Sequence, residues 1–157
     1  MKKSIVFALM LTICGAAAWA ADKTAAKNAV TGLWLTENHR SVIKIEDCEG
    51  KLCGHIFWII KGGMQTDSKN PDEAQRSRPM CGLKLMWGFE KDDETHWSGG
   101  RIYKADDGDT YHATIEALSP DQLKLRGYVG IPLFGASQTW TRVSAADYPP
   151  CAKTPAH

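Results

Sequence analysis

The residues best equipped for chemistry lie in one polar stretch between Lys61 and Pro79, which carries Asp67, Asn70, Asp72, Arg76 and Arg78. An arginine offers a planar fork of donors that grips a carboxylate or phosphate in bidentate fashion. Arg76 or Arg78 is therefore a candidate clamp for an anionic head group, with Asp67 and Asn70 beside it. In the competing reading Asn70 and Asp72 make turns, and the arginines pair with Asp67 or with backbone carbonyls to pin the loop. A second set is aromatic. Trp58, Trp87 and Tyr111, with Trp97, Phe57 and Phe89, could line a cavity for a lipid tail or an aromatic ring, or could fill a core.

Other reactive residue types lack the spacing their chemistry needs. His39, His55, His96 and His112 never recur at a close same-face interval, so no metal site is expected. Asp106, Asp107 and Asp109 lack the graded ligands and terminal Glu of a calcium loop, and a hairpin turn accounts for them. No G-x-S-x-G, H-E-x-x-H or phosphate-cradling glycine loop occurs. No catalytic residue and no cofactor is assigned.

The N-terminus bears on where the chain works. Lys2 and Lys3 precede an apolar run from Ile5 to Ile13, and Ala18-Trp19-Ala20 forms an A-x-A site. This is the pattern of a secretory signal peptide cut after Ala20. Leu11-Thr12-Ile13-Cys14 only superficially resembles a lipid-attachment box, because Ile13 stands where a small residue is wanted. Without a second apolar span, no stable membrane anchor is expected in the mature chain. The chain has 19 basic and 18 acidic residues, and losing Lys2 and Lys3 takes its formal charge from +1 to −1. That balance offers no footprint for nucleic acid.

Beyond Cys14 the chain keeps Cys48, Cys53, Cys81 and Cys151, an even number suited to disulfides in an oxidising compartment, either periplasmic or extracellular. Glu49-Gly50-Lys51-Leu52 can turn the chain between Cys48 and Cys53, which favours that bridge. The remaining pair, Cys81 with Cys151, would tether the tail.

The elements that must position these residues read as strands. Between Thr110 and Ala117, Tyr111, Ala113, Ile115 and Ala117 share one face, and from Gln122 to Tyr128, Leu123 and Leu125 alternate with Lys124 and Arg126. The same period of two marks Gly32 to Thr36, Val42 to Asp47, Leu52 to Ile60, Leu83 to Phe89, His96 to Tyr103 and Ser137 to Arg142. A helical turn fits Glu73 to Arg76. The expected organisation is a signal peptide at 1–20, a flexible leader at 21–30, a single all-β domain at 31–143 and a tail at 144–157. Eight antiparallel strands can avoid exposed edges by closing into an up-and-down barrel, the expected fold, with a β-sandwich as the alternative. In such a barrel the strand opened by Gly32 and Trp34 neighbours the one ended by Arg142, which predicts a stack of Arg142 on Trp34.

Several ordered blocks also resemble a known family. They are Gly32-x-Trp34, Leu52-Cys53-Gly54, Asp67-x-x-Asn70-Pro71-Asp72, Arg76-Ser77-Arg78-Pro79-x-Cys81-Gly82-Leu83, Trp97-x-Gly99-Gly100-x-Ile102-Tyr103, Gly127-Tyr128-Val129-Gly130 and Gln138-Thr139-Trp140-Thr141-Arg142. Together they are similar to the secreted bacterial family called domain of unknown function 2147, itself similar in fold to lipocalins. The resemblance implies a small barrel for an apolar or amphipathic molecule, and transfers no catalytic residue. The expected function is binding of a small amphipathic ligand. The alternatives are a filled barrel that serves as a protein- or envelope-interaction module, with its partner unspecified, and an enzyme with an unrecognised site.

Overall fold

The computed structural model describes residues 29–60 and 62–151. Its strands are β1 (Gly32–Leu35), β2 (Ser41–Cys48), β3 (Lys51–Ile59), β4 (Lys84–Lys91), β5 (His96–Lys104), β6 (Asp109–Ser119), β7 (Gln122–Tyr128) and β8 (Gly135–Val143). All neighbours pair antiparallel, and β1 pairs with β8, so the sheet closes into an up-and-down barrel. The eight expected strands are all present, with ends shifted by up to two residues, and a 3-10 turn covers Glu73–Gln75. The expected signal peptide lies outside the described residues.

Alternation decides what each strand buries. Ile43 and Ile45 on β2, Leu52 and Ile56 on β3, Ala113 and Ile115 on β6, and Leu123 and Leu125 on β7 all point inward and are buried. Where an aromatic ring crosses the barrel, its neighbour must be small: a Cβ at Gly100 would collide with the Phe89 ring. The β2–β3 hairpin turns on two residues of positive φ, Glu49 and Gly50, the arrangement of a tight hairpin turn.

The seam between the first and last strands closes as the spacing predicts. Trp34 pairs with Arg142 in register, and the guanidinium lies 4.2 Å from the ring centroid. Arg142 also donates to the carbonyls of Thr31 (2.8 Å), Ala29 (2.5 Å) and Pro120 (2.6 Å). The fold starts earlier than expected: Val30, assigned to the leader, is fully buried, and its carbonyl accepts the Trp34 indole hydrogen at 2.8 Å.

Of the two expected bridges, Cys48–Cys53 is formed, with Cα atoms 5.8 Å apart. Cys81 and Cys151 are both half-buried and are not joined to each other by a disulfide. The tail is instead docked by its backbone, because the Cys151 N–H donates to the Phe57 carbonyl at 2.7 Å.

Candidate functional site

In an up-and-down barrel the connections alternate between the two ends. The β1–β2, β3–β4, β5–β6 and β7–β8 connections share one end, and they frame a cavity of about 630 Å³. The barrel is therefore not filled, as the interaction-module reading required. The walls are apolar: Ile43, Ile56, Leu85, Ile102 and Leu125 from the strands, Trp140 from β8, and Met64 and Met80 from the long β3–β4 loop. The opposite end is plugged by Trp34, Phe89, Trp97 and Leu123, each with at most 2% of its surface exposed.

The mouth has two unlike sides. One is polar. Arg40, from the β1–β2 turn, reaches Asp106 in the β5–β6 turn at 2.8 Å, joining hairpins from opposite sides of the barrel. Lys104 pairs with Asp107, whose second contact is the Tyr111 hydroxyl, donating at 3.2 Å. The bond to Asp107 raises the Lys104 pKa, and burial, reinforced by the same carboxylate, raises that of Tyr111. Thr36, Asn38 and Gln138 complete this side. The other side is an apolar lip between β7 and β8. Val129, Leu133 and Phe134 line the cavity, yet Leu133 and Phe134 are 75% and 73% exposed. Arg126 holds the lip from below, donating to the Pro132 and Leu133 carbonyls at 2.7 and 3.2 Å.

The polar residues of the β3–β4 loop stand behind the wall, while its Met64 lies on it. Asp67 has a fully buried side chain and meets Arg78 through two nitrogens at 2.9 and 2.7 Å. It also accepts from the Tyr103 hydroxyl at 2.6 Å and from Asn70 at 2.7 Å. Burial pushes this carboxyl upward, but the bonds from Tyr103, Asn70 and Arg78 outweigh it and leave the pKa lowered. Tyr103 is driven to about 12 by burial and by the same carboxylate, while its ring lines the cavity. The result is a clamp that ties the long loop to β5 and stiffens the wall.

The expected site residues thus separate. Tyr111 lines the cavity, whereas Asp67, Asn70, Arg76, Arg78, Trp58 and Trp87 are not among its lining residues. Arg76 is committed to the Asn70 carbonyl at 2.9 Å and to Glu73 at 3.0 Å. A buried Asp67 has to be neutralised in place, which draws Arg78 to it rather than to a ligand. Arg40, Lys104, Asp106 and the lip were not anticipated. Their one sequence signal is the run Val129-x-Ile131-x-Leu133-Phe134, apolar where a connection should be polar.

A closed eight-stranded barrel, plugged at one end by a Trp–Arg seam and hollow at the other, places the protein in the lipocalin-like class. Protein HP1028 from the human pathogen Helicobacter pylori, described as belonging to the lipocalin family, has a similar structure. The TM-score is 0.68 at 22% identity, covering 75% of this chain and 85% of that one. Residues 32–142 match the model of the family described as an uncharacterized protein conserved in bacteria (DUF2147), and the chain belongs to that family. No functionally curated protein matches the sequence.

Proposed function

We propose that the protein is an exported binding protein for a small amphipathic molecule. The apolar part would occupy the cavity, and the polar part would lie against Arg40, Lys104 and Tyr111 at the rim. The observation that carries this reading is the cavity itself: its volume of about 630 Å³ falls within the range of roughly 300–1,000 Å³ usual for small-molecule sites. Its walls are apolar, and its polar groups are confined to one side of the mouth. Placement outside the cytoplasm rests on the N-terminal pattern and agrees with the Cys48–Cys53 disulfide. Among the described residues no helix is long and apolar enough to cross a membrane.

The test is titration with an anilinonaphthalene sulfonate and with a long-chain carboxylate, read by probe emission and by the fluorescence of Trp140 at the cavity wall. The cavity-filling substitution Gly127→Leu separates the cavity from the lip, because a Cβ at Gly127 meets only ordinary contacts at 3.8–4.0 Å. The native protein is expected to bind in the micromolar range or tighter, and Gly127→Leu to weaken binding by about tenfold or more with the fold retained. No response from the native protein, or equal affinity in both, would overturn the reading.

A further inference from the structure

The outer face of the β2–β3 hairpin gathers side chains of a different chemistry, far from the mouth. The register sets Lys44 opposite His55, Glu46 opposite Cys53 and Cys48 opposite Lys51, so alternation puts all six on one face of the hairpin, where Cys53 is nevertheless buried. The ligand atoms of Glu46, Cys48 and Cys53 lie within 4.8 Å of one another. His55 Nδ1 stands 3.3 Å from Glu46 Oε1, yet it is buried without a hydrogen-bond partner. A buried nitrogen in that state calls for an explanation.

We propose that this hairpin is a redox-gated site for a thiophilic divalent cation of the zinc type, shut by the Cys48–Cys53 disulfide and opened by a dithiol reductant. Opening proceeds by exchange. A thiolate of the reductant attacks Cys48 Sγ, the less buried of the two sulfurs, the S–S bond breaks, and Cys53 leaves as a thiolate. The reductant's second thiol then resolves the mixed disulfide, frees Cys48 and carries the oxidation away as the reductant's own disulfide. The cation displaces the protons of the two thiols. Two thiolates and the Glu46 carboxylate make three donors, and the His55 ring beside Glu46 supplies a fourth once it swings toward the sulfurs, a set of the kind zinc takes. Together with the cation these donors carry one net negative charge, which the Lys44 ammonium, 2.6 Å from Glu46 Oε2, offsets. With the bridge intact neither sulfur is a thiolate, and only a weak carboxylate–imidazole pair remains.

Cobalt(II) is the probe, titrated into the full chain before and after reduction with a phosphine under nitrogen, with circular dichroism to confirm the barrel. The reduced protein is expected to bind about one cobalt ion with thiolate-to-metal charge-transfer absorption, displaced by zinc, and the oxidised protein to show none. Cys53→Ser should abolish the signal, while a Cys81→Ser/Cys151→Ser double variant should keep it. Glu46→Gln and His55→Ala, which spare both sulfurs, should each weaken binding by about tenfold or more. Equal binding in both redox states, a signal surviving Cys53→Ser or lost in the double variant, or unchanged affinity in Glu46→Gln and His55→Ala would each overturn the proposal.

Discussion

At the closed end of the barrel, Trp34, Phe89, Trp97 and Leu123 are buried in one apolar cluster. At the mouth, Ile43, Leu85, Ile102 and Leu125 face each other across open space. The same strands, with the same alternation, build both halves. The difference comes from side-chain volume and from what pins each end. Three large aromatic residues and an arginine seam fill one half, whereas in the other the aromatic residues Trp140, Tyr103 and Tyr111 stand among aliphatic ones around open space, and a clamped loop holds the wall in place. A solid half supplies stability so that a hollow half can exist.

Substitutions that treat the halves differently would break or sharpen this contrast. Trp34→Ala should cost the most, about 3–5 kcal/mol in urea unfolding, because it empties the plug and removes the surface on which Arg142 stacks. The sharpest comparison uses two leucines two residues apart on β7. Leu123→Ala, in the solid half, should cost about 3–4 kcal/mol, and Leu125→Ala, beside existing space, only about 1–2 kcal/mol. Equal costs would mean that the halves are packed alike.

Asp67→Asn should follow at about 2 kcal/mol, held below the fully buried case because Arg78 is part-exposed. It should also change the pH response. The folded Asp67 pKa is lowered, so its contribution is complete above the unfolded carboxylate pKa and is lost as pH falls through the folded value. Unfolding midpoints measured from neutral pH downward should therefore show a shallower acid decline in the variant. Least affected should be the lip: Leu133→Ser with Phe134→Ser should change stability by less than about 0.5 kcal/mol, since both side chains already face water. A larger loss would mean that the lip packs against the barrel.

The barrel was legible because period two runs clearly through β6 and β7, and because Gly32, Trp34 and Arg142 mark its seam. The cavity was not legible. An inward Leu125 reads the same whether its neighbour is a ring or a void, since filling depends on volumes summed across strands distant in sequence. Arg78 was ambiguous for a related reason: its partner depends on whether Asp67 is buried. Arg40 and Asp106 looked like ordinary turn residues because 66 positions separate them. The Cys81–Cys151 expectation followed from counting thiols, which carries no information on distance.

The Arg142 contacts have a kinetic consequence. Its guanidinium binds carbonyls 111 and 113 positions earlier in the chain, so the first strand has no partner on its outer edge until the last strand has been made. Loop-closure entropy makes such a contact slow to form. The barrel therefore closes late, as a finished chain rather than strand by strand, and a chain cut short before Arg142 leaves the β1 edge unpaired and open to association.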